Sequence, residues 1–263
     1  MRRGFRSSLA LGAALVATIL IVAGCGSDDT AANNGNERGE VVVSAATSLK
    51  SAFTRYGEQF AGAEAQFSFA GSDELAAQIR AGAKPDVFAS ANTKLPDALF
   101  QEGLVERPRV FASNRLVLAV PAMSTSVGSL DDLEKKGVSV VIGSESVPIG
   151  AYTRKVLDRL DGAARTAILA NVRSNEPDVG GISAKLTQGA AEAGFLYVTD
   201  VVAANGRLKA IELPAALQPQ VAYGVAIVKG AEHRRAAQAF VAGLLDGDGA
   251  EALRSAGFEP PGQ

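Results

Sequence analysis

Short apolar runs alternate along this chain with stretches in which apolar residues recur every three or four positions. Residues 41–45 are apolar and β-branched, and Leu49, Phe53, Tyr56 and Phe60 then fall at helical spacing behind Ser48. Phe67 and Phe69 alternate within a strand predicted over 65–70, and a helix is predicted over 75–80. Residues 85–89 predict a third strand, 95–103 a helix, and 115–120 (RLVLAV) an apolar strand stopped by Pro121. Further helices are predicted over 130–136, 150–160, 181–193 and 231–245, and strands over 138–142, 194–197 and 221–228. Strands alternating with helices predict an α/β fold with parallel sheets. No internal repeat of fixed period is visible.

The first residues have a different pattern. Arg2, Arg3 and Arg6 precede a continuous apolar run over residues 9–23 that ends in Val22-Ala23-Gly24-Cys25. That run has the length of a signal segment and is short for a membrane span. Small residues directly before the single Cys of the chain are the pattern of a bacterial lipoprotein signal. Residues 1–24 are expected to be removed and Cys25 to be lipidated, anchoring the protein on the extracytoplasmic face of the cell membrane. Residues 25–39 are small, polar and without apolar periodicity, as expected of a flexible tether. Arg2-Arg3 leaves Sec and twin-arginine export both open.

Composition narrows the function. Apolar residues make up 47% of the 263, enough for a sizeable core. The net charge of −2 offers no basic excess for nucleic acid. One Cys and one His exclude a disulfide framework and a structural zinc site, and leave little for His-dependent catalysis. The absence of Trp weakens carbohydrate recognition. No P-loop and no dinucleotide-binding glycine motif is present.

Several predicted strand-to-helix turns carry small polar residues. Ser48 follows the first strand, Ser72 the second, and Val147-Pro148-Ile149-Gly150 precedes the helix near Ala151. A helix N-terminus offers unpaired backbone N–H groups and a positive dipole end, and so attracts anions. Each such turn alone is an ordinary N-cap. Together, in an exported chain without a basic patch, they favour a neutral anion pocket.

The motifs Ala45-Ala46-Thr47-Ser48-Leu49, Phe69-Ala70-Gly71-Ser72-Asp73-Glu74-Leu75, Lys84-Pro85-Asp86-Val87-Phe88-Ala89, Ser113-Asn114-Arg115-Leu116-Val117-Leu118, Val147-Pro148-Ile149-Gly150 with Tyr152, and Gly194-Phe195-Leu196-Tyr197 before Asp200 occur in one order. In that order and spacing, over residues 40–258, the chain resembles the periplasmic molybdate-binding proteins of bacterial ABC importers. The resemblance implies a type II periplasmic-binding fold with the ligand in the cleft between two lobes. The first lobe is expected over 40–119 plus 228–263 and the second over 120–227, with crossings near Ala119 and Val228. It implies a monomer that captures molybdate or tungstate and hands it to an ABC permease and ATPase. It implies no cofactor, and molybdenum bound only as the oxyanion. By the same resemblance Ser48 and Ser72 donate hydroxyl and backbone N–H groups, Ile149 and Val179 donate backbone N–H groups, and Tyr197 donates its phenol. The physics agrees, because a fully deprotonated oxyanion carries only acceptors.

Asp73 departs from the usual pattern, which has a small neutral residue after the serine. It is expected to be a solvent-facing acid in a helix first turn, and a carboxylate near the ligand is the alternative. His233 in Glu232-His233-Arg234-Arg235 and the pair Lys135-Lys136 are expected on solvated faces. Tyr152 and Tyr223 are expected to pack or to serve the hinge, and Asp86 and Asn114 to satisfy backbone at lobe contacts. Two other functions compete: capture of sulfate, phosphate or an organic acid on the same fold, and an exported serine hydrolase. The hydrolase needs a base beside Ser48 or Ser72, and phosphate needs an acceptor.

Overall fold

The computed structural model describes residues 39–262. The signal segment, Cys25 and the tether up to residue 38 lie outside the described residues. The chain begins with three strand–helix units. β1 (Glu40–Ala46) passes through a 3-10 turn (Thr47–Leu49) into α1 (Lys50–Gln59), β2 (Glu64–Ala70) into α2 (Ser72–Arg80), and β3 (Val87–Ser90) into α3 (Lys94–Gln101). Then come β4 (Arg109–Asn114), β5 (Leu116–Pro121), a 3-10 turn at Asp131–Glu134, β6 (Val140–Gly143), α4 (Pro148–Leu157), α5 (Gly162–Ala170) and β7 (Val172–Glu176). The chain continues with α6 (Val179–Thr187), β8 (Ala193–Tyr197), α7 (Val198–Ala203), β9 (Leu208–Glu212), β10 (Val221–Ile227), α8 (Arg234–Leu245) and α9 (Asp248–Ser255).

Two five-stranded sheets form, in the orders β2-β1-β3-β10-β4 and β7-β6-β8-β5-β9. They are mixed, where the sequence predicts parallel sheets. β10 runs antiparallel to β3 and β4, and β5 antiparallel to β8 and β9. Neighbouring strands become parallel when a helical crossover returns the chain to the same end of the sheet. The helix-connected strands β1–β3 and β6–β8 obey this and run parallel, whereas β5 and β10 each enter their sheet from the other lobe without such a crossover. The crossings also differ from those expected near Ala119 and Val228. β5 lies in the second sheet and β10 in the first, so the chain crosses at Arg115 and again just before Val221. Apolar strands look alike in sequence whichever sheet they join, and pairing decides the boundary.

Each sheet is covered by helices. α2 and α3 bury Leu75, Ile79 and Leu99 with Phe88 on one face of the first sheet. α1, α8 and α9 cover the other face. There Phe240 packs on Tyr56 and Phe53 with ring centroids 4.6 and 5.7 Å apart. Truncating such a ring to Ala costs about 3–5 kcal/mol. The central strands β8 and β3 are buried along their whole length, whereas the edge strand β2 alternates exposed and half-buried positions.

The segment 130–136 forms only a short 3-10 turn. His233 is not simply solvated, as its charged neighbours suggest. Its backbone N–H donates to Asp86 Oδ1 at 2.8 Å, and its Nδ1 lies 2.9 Å from Asp86 Oδ2. Asp86 is 1% exposed and also accepts from the Val42 N–H. This carboxylate ties the segment before α8 to β1; it satisfies backbone as expected, but inside the first lobe and not at a contact between lobes.

Candidate functional site

The helices α2, α4 and α6 begin at a common place between the two sheets. Ser72 is the first residue of α2 and Val179 the first of α6, so their backbone N–H groups have no intrahelical acceptor. α4 starts with Pro148, which has no N–H, so its first free donor is Ile149. Gly150 lets this helix start lie against the preceding turn, because a Cβ there would run into the Ser144 carbonyl oxygen. Ser48 sits in the 3-10 turn before α1, and Tyr197 ends β8.

These elements bring Ser48, Ser72, Ile149, Val179 and Tyr197 to one small cavity of about 20 Å³. Pockets for drug-sized ligands run to about 300–1,000 Å³, so this space suits a small ion. Thr47, Gly71 and Asp178 share the wall, and no Lys, Arg or His does.

The donors are arranged by their other partners. Ser72 Oγ accepts the Ala91 N–H at 3.1 Å, which leaves its own proton free to point into the cavity. Ser48 Oγ lies 3.1 Å from the Tyr223 hydroxyl. That phenol accepts from Asn114 Nδ2 at 3.4 Å, while Asn114 Oδ1 is taken by the Arg115 N–H. Either hydroxyl can donate in the Ser48–Tyr223 pair, and when Tyr223 donates, the serine proton is left for the cavity. Tyr223 and Asn114 thus do more than pack or satisfy backbone. Nothing in their sequence surroundings signals this, because the contact spans 175 residues.

Tyr197 is fully buried, and its hydroxyl has no hydrogen-bond partner within the described residues. Burial, with smaller contributions from Tyr223 and Tyr152, pushes this phenol well above its ordinary range. It is therefore a neutral donor at physiological pH. A buried polar group without a partner costs about 1–3 kcal/mol, a cost that a ligand acceptor would remove. Next to it, Asp200 accepts the Tyr197 N–H at 3.0 Å, and burial pushes its carboxyl up to about 7.

Asp73 lies half-buried in the first turn of α2 and does not line the cavity. The carboxylate in the wall is Asp178, which the sequence presents only as the residue before a helix start. Its Oδ1 accepts the Gly181 N–H at 3.0 Å, and its Oδ2 accepts from Thr47 Oγ1 at 2.8 Å. Neither Ser48 nor Ser72 is bonded to a His, Lys or carboxylate, and the one His is held by Asp86. Among the described residues no group of three His, Cys, Asp or Glu side chains could hold a metal ion, and no helix is long and apolar enough to cross a membrane.

Residues 41–259 match the family model of bacterial extracellular solute-binding proteins. The chain belongs to this family. This solute-binding protein is therefore a binding protein and not an enzyme. It is 35% identical over 264 residues to the molybdate-binding protein ModA of Mycobacterium tuberculosis, with 96% of this chain and 99% of that one covered. It is 30% identical to ModA of Escherichia coli, over 84% of this chain and 90% of the other. The periplasmic molybdate-binding protein of Azotobacter vinelandii superposes with a TM-score of 0.76 over 84% of this chain and 100% of that one. At 22% identity that likeness concerns the fold, which is the two-lobe periplasmic-binding architecture expected of the solute-binding protein.

Proposed function

We propose that this protein captures molybdate or tungstate outside the cytoplasm and delivers it to the permease and ATPase of an ABC importer, held at the membrane through lipid on Cys25. Ser48, Ser72, Ile149, Val179 and Tyr197 are the donors. The observation that carries this reading is the buried Tyr197 hydroxyl, a neutral donor with no protein acceptor on the wall of an ion-sized cavity. Around it stand backbone N–H groups at helix starts and two serine protons, and no cation. Such a site suits an anion that carries acceptors only, because neutral donors and helix ends hold charge without burying Lys or Arg. The ModA relatives support molybdate in particular.

Hydrogen phosphate is the second reading, favoured by one observation: Asp178 places an acceptor in the cavity wall. Both its oxygens already accept a hydrogen bond, which favours an unprotonated dianion instead. A calorimetric panel of molybdate, tungstate, sulfate and phosphate decides. Tight binding of molybdate and tungstate with weak phosphate binding is expected. Phosphate binding as tight as molybdate binding, or no molybdate binding, overturns the reading.

A further inference from the structure

Asp178 poses a question that capture of an anion leaves open. A carboxylate on the wall of an anion cavity repels the ligand, and a neutral Ser or Asn could cap α6 equally well. Its second bond supplies a reason. Asp178 starts α6 in the lobe of the second sheet, whereas Thr47 follows β1 in the lobe of the first. Their hydrogen bond, 2.8 Å from Thr47 Oγ1 to Asp178 Oδ2, therefore joins the lobes. Among the described residues it is the one bond between side chains that does so away from the crossing strands. The backbones also meet on this seam. A Cβ on Gly71 would lie 2.6 Å from the Pro177 carbonyl oxygen, and one on Gly180 would lie 3.2 Å from Thr47 Cγ2.

We propose that Thr47 and Asp178 form a latch that holds the two lobes shut and sets how slowly the ligand leaves. Lobe separation breaks the bond and returns both groups to water. The ligand is not a member of the pair, so the latch adds to closure whichever oxyanion is bound. A charged acceptor makes the bond stronger than a neutral cap would. Holding Asp178 between the Gly181 N–H and the Thr47 hydroxyl also turns its lone pairs away from the anion. Thr47 and Asp178 are positioning residues, and contact with the ligand is not required of either.

The kinetic arm of the test rests on the molybdate reading, and the conformational arm does not. Thr47→Val keeps the shape of the side chain and removes the donor, while Thr47→Ser keeps the donor. Followed by tyrosine fluorescence in a stopped-flow instrument, Thr47→Val is expected to release molybdate about tenfold faster, with the change in affinity carried mainly by release and not by association. Thr47→Ser restores slow release. In the conformational arm, spin labels on Glu58→Cys and Val202→Cys in a Cys25→Ser background report the distance between lobes in the ligand-free protein, the state in which the Thr47–Asp178 bond is present. A smaller closed population in Thr47→Val supports the latch. Wild-type release rates in that variant, or a loss confined to association, overturn it. So does an unchanged closed population, or a background protein that never closes. Absence of molybdate binding in the wild type counts against the proposed function and leaves the conformational arm to judge the latch.

Discussion

The Tyr223 hydroxyl stands 3.1 Å from Ser48 Oγ, with Asn114 donating to it from the other side. When the phenol donates in this pair, the serine proton is left for a ligand in the cavity. Burial, with Asp200 as the next contribution, keeps this phenol far above its ordinary range, so it stays protonated. Tyr223→Phe removes the orienting donor and keeps the ring. Molybdate affinity is expected to fall by about tenfold or less, as for loss of one neutral hydrogen bond of about 0.5–1.5 kcal/mol. Calorimetry beside a thermal melt checks this, and unchanged affinity would show that Ser48 orients itself.

Tyr197→Phe separates a binding role from a packing role. Removing a hydrogen bond to a charged ligand costs about 1.5–3 kcal/mol, so affinity should fall roughly ten- to a hundredfold. In the ligand-free protein the same change removes a buried hydroxyl that has no partner, so stability should hold or rise. A melting temperature that drops without ligand, with affinity intact, would assign Tyr197 to the core alone.

Gly71 tests the closeness of the lobes. Its φ of −58° and ψ of 137° suit Ala, so Gly71→Ala should leave the ligand-free melting point near that of the wild type. The added Cβ would meet the Pro177 carbonyl of the other lobe at 2.6 Å. Overpacking of this kind costs about 1–3 kcal/mol, and here the cost falls on closure and therefore on ligand affinity. Tight molybdate binding in Gly71→Ala would mean that the lobes can shut without this contact.

Two groups make stability fall as pH rises from about 5.5 through neutrality. The hydrogen bond to Asp86 raises the His233 imidazole above its ordinary value, so its contribution is fully present below about pH 6.5 and is lost as pH rises through the folded value. Burial raises the Asp200 carboxyl to about 7, so its neutral form favours the fold at acid pH and that advantage is lost between about pH 4 and 7. Both effects have the same sign. Ligand-free protein should melt higher at pH 5.5 than at pH 8. His233→Gln should flatten the curve near neutrality and Asp200→Asn its acid part, and a wild-type melting point that climbs from pH 5.5 to 8 would contradict both assignments.

The strand–helix units β1–α1, β2–α2 and β3–α3 were legible because their apolar periods change from two to nearly four at Ser48, Ser72 and beyond Ala89. The edge strands β4, β7 and β9 escaped because each is short and mixes polar with apolar positions, and α5, α7 and α9 because each is a short helix of at most nine residues. The proposed donors were legible as residue types at helix starts, read with the family motifs, and the structure brings them to one cavity. Asp73, expected to face away from the ligand, stays out of the cavity wall, and the carboxylate that lines it, Asp178, was not singled out from the sequence.

Local order along the chain thus determined which turns expose unpaired N–H groups, because helix starts depend on neighbouring residues alone. It also determined that no His or cation would be available among the donors of those turns. The partners of those donors were decided in three dimensions. Ser48 meets Tyr223 across 175 positions, Thr47 meets Asp178 across 131, and Asp86 meets His233 across 147. Each pair depends on which sheet a strand joins and in which direction it runs. β5 and β10 settle that by pairing antiparallel in sheets their apolar sequences do not specify.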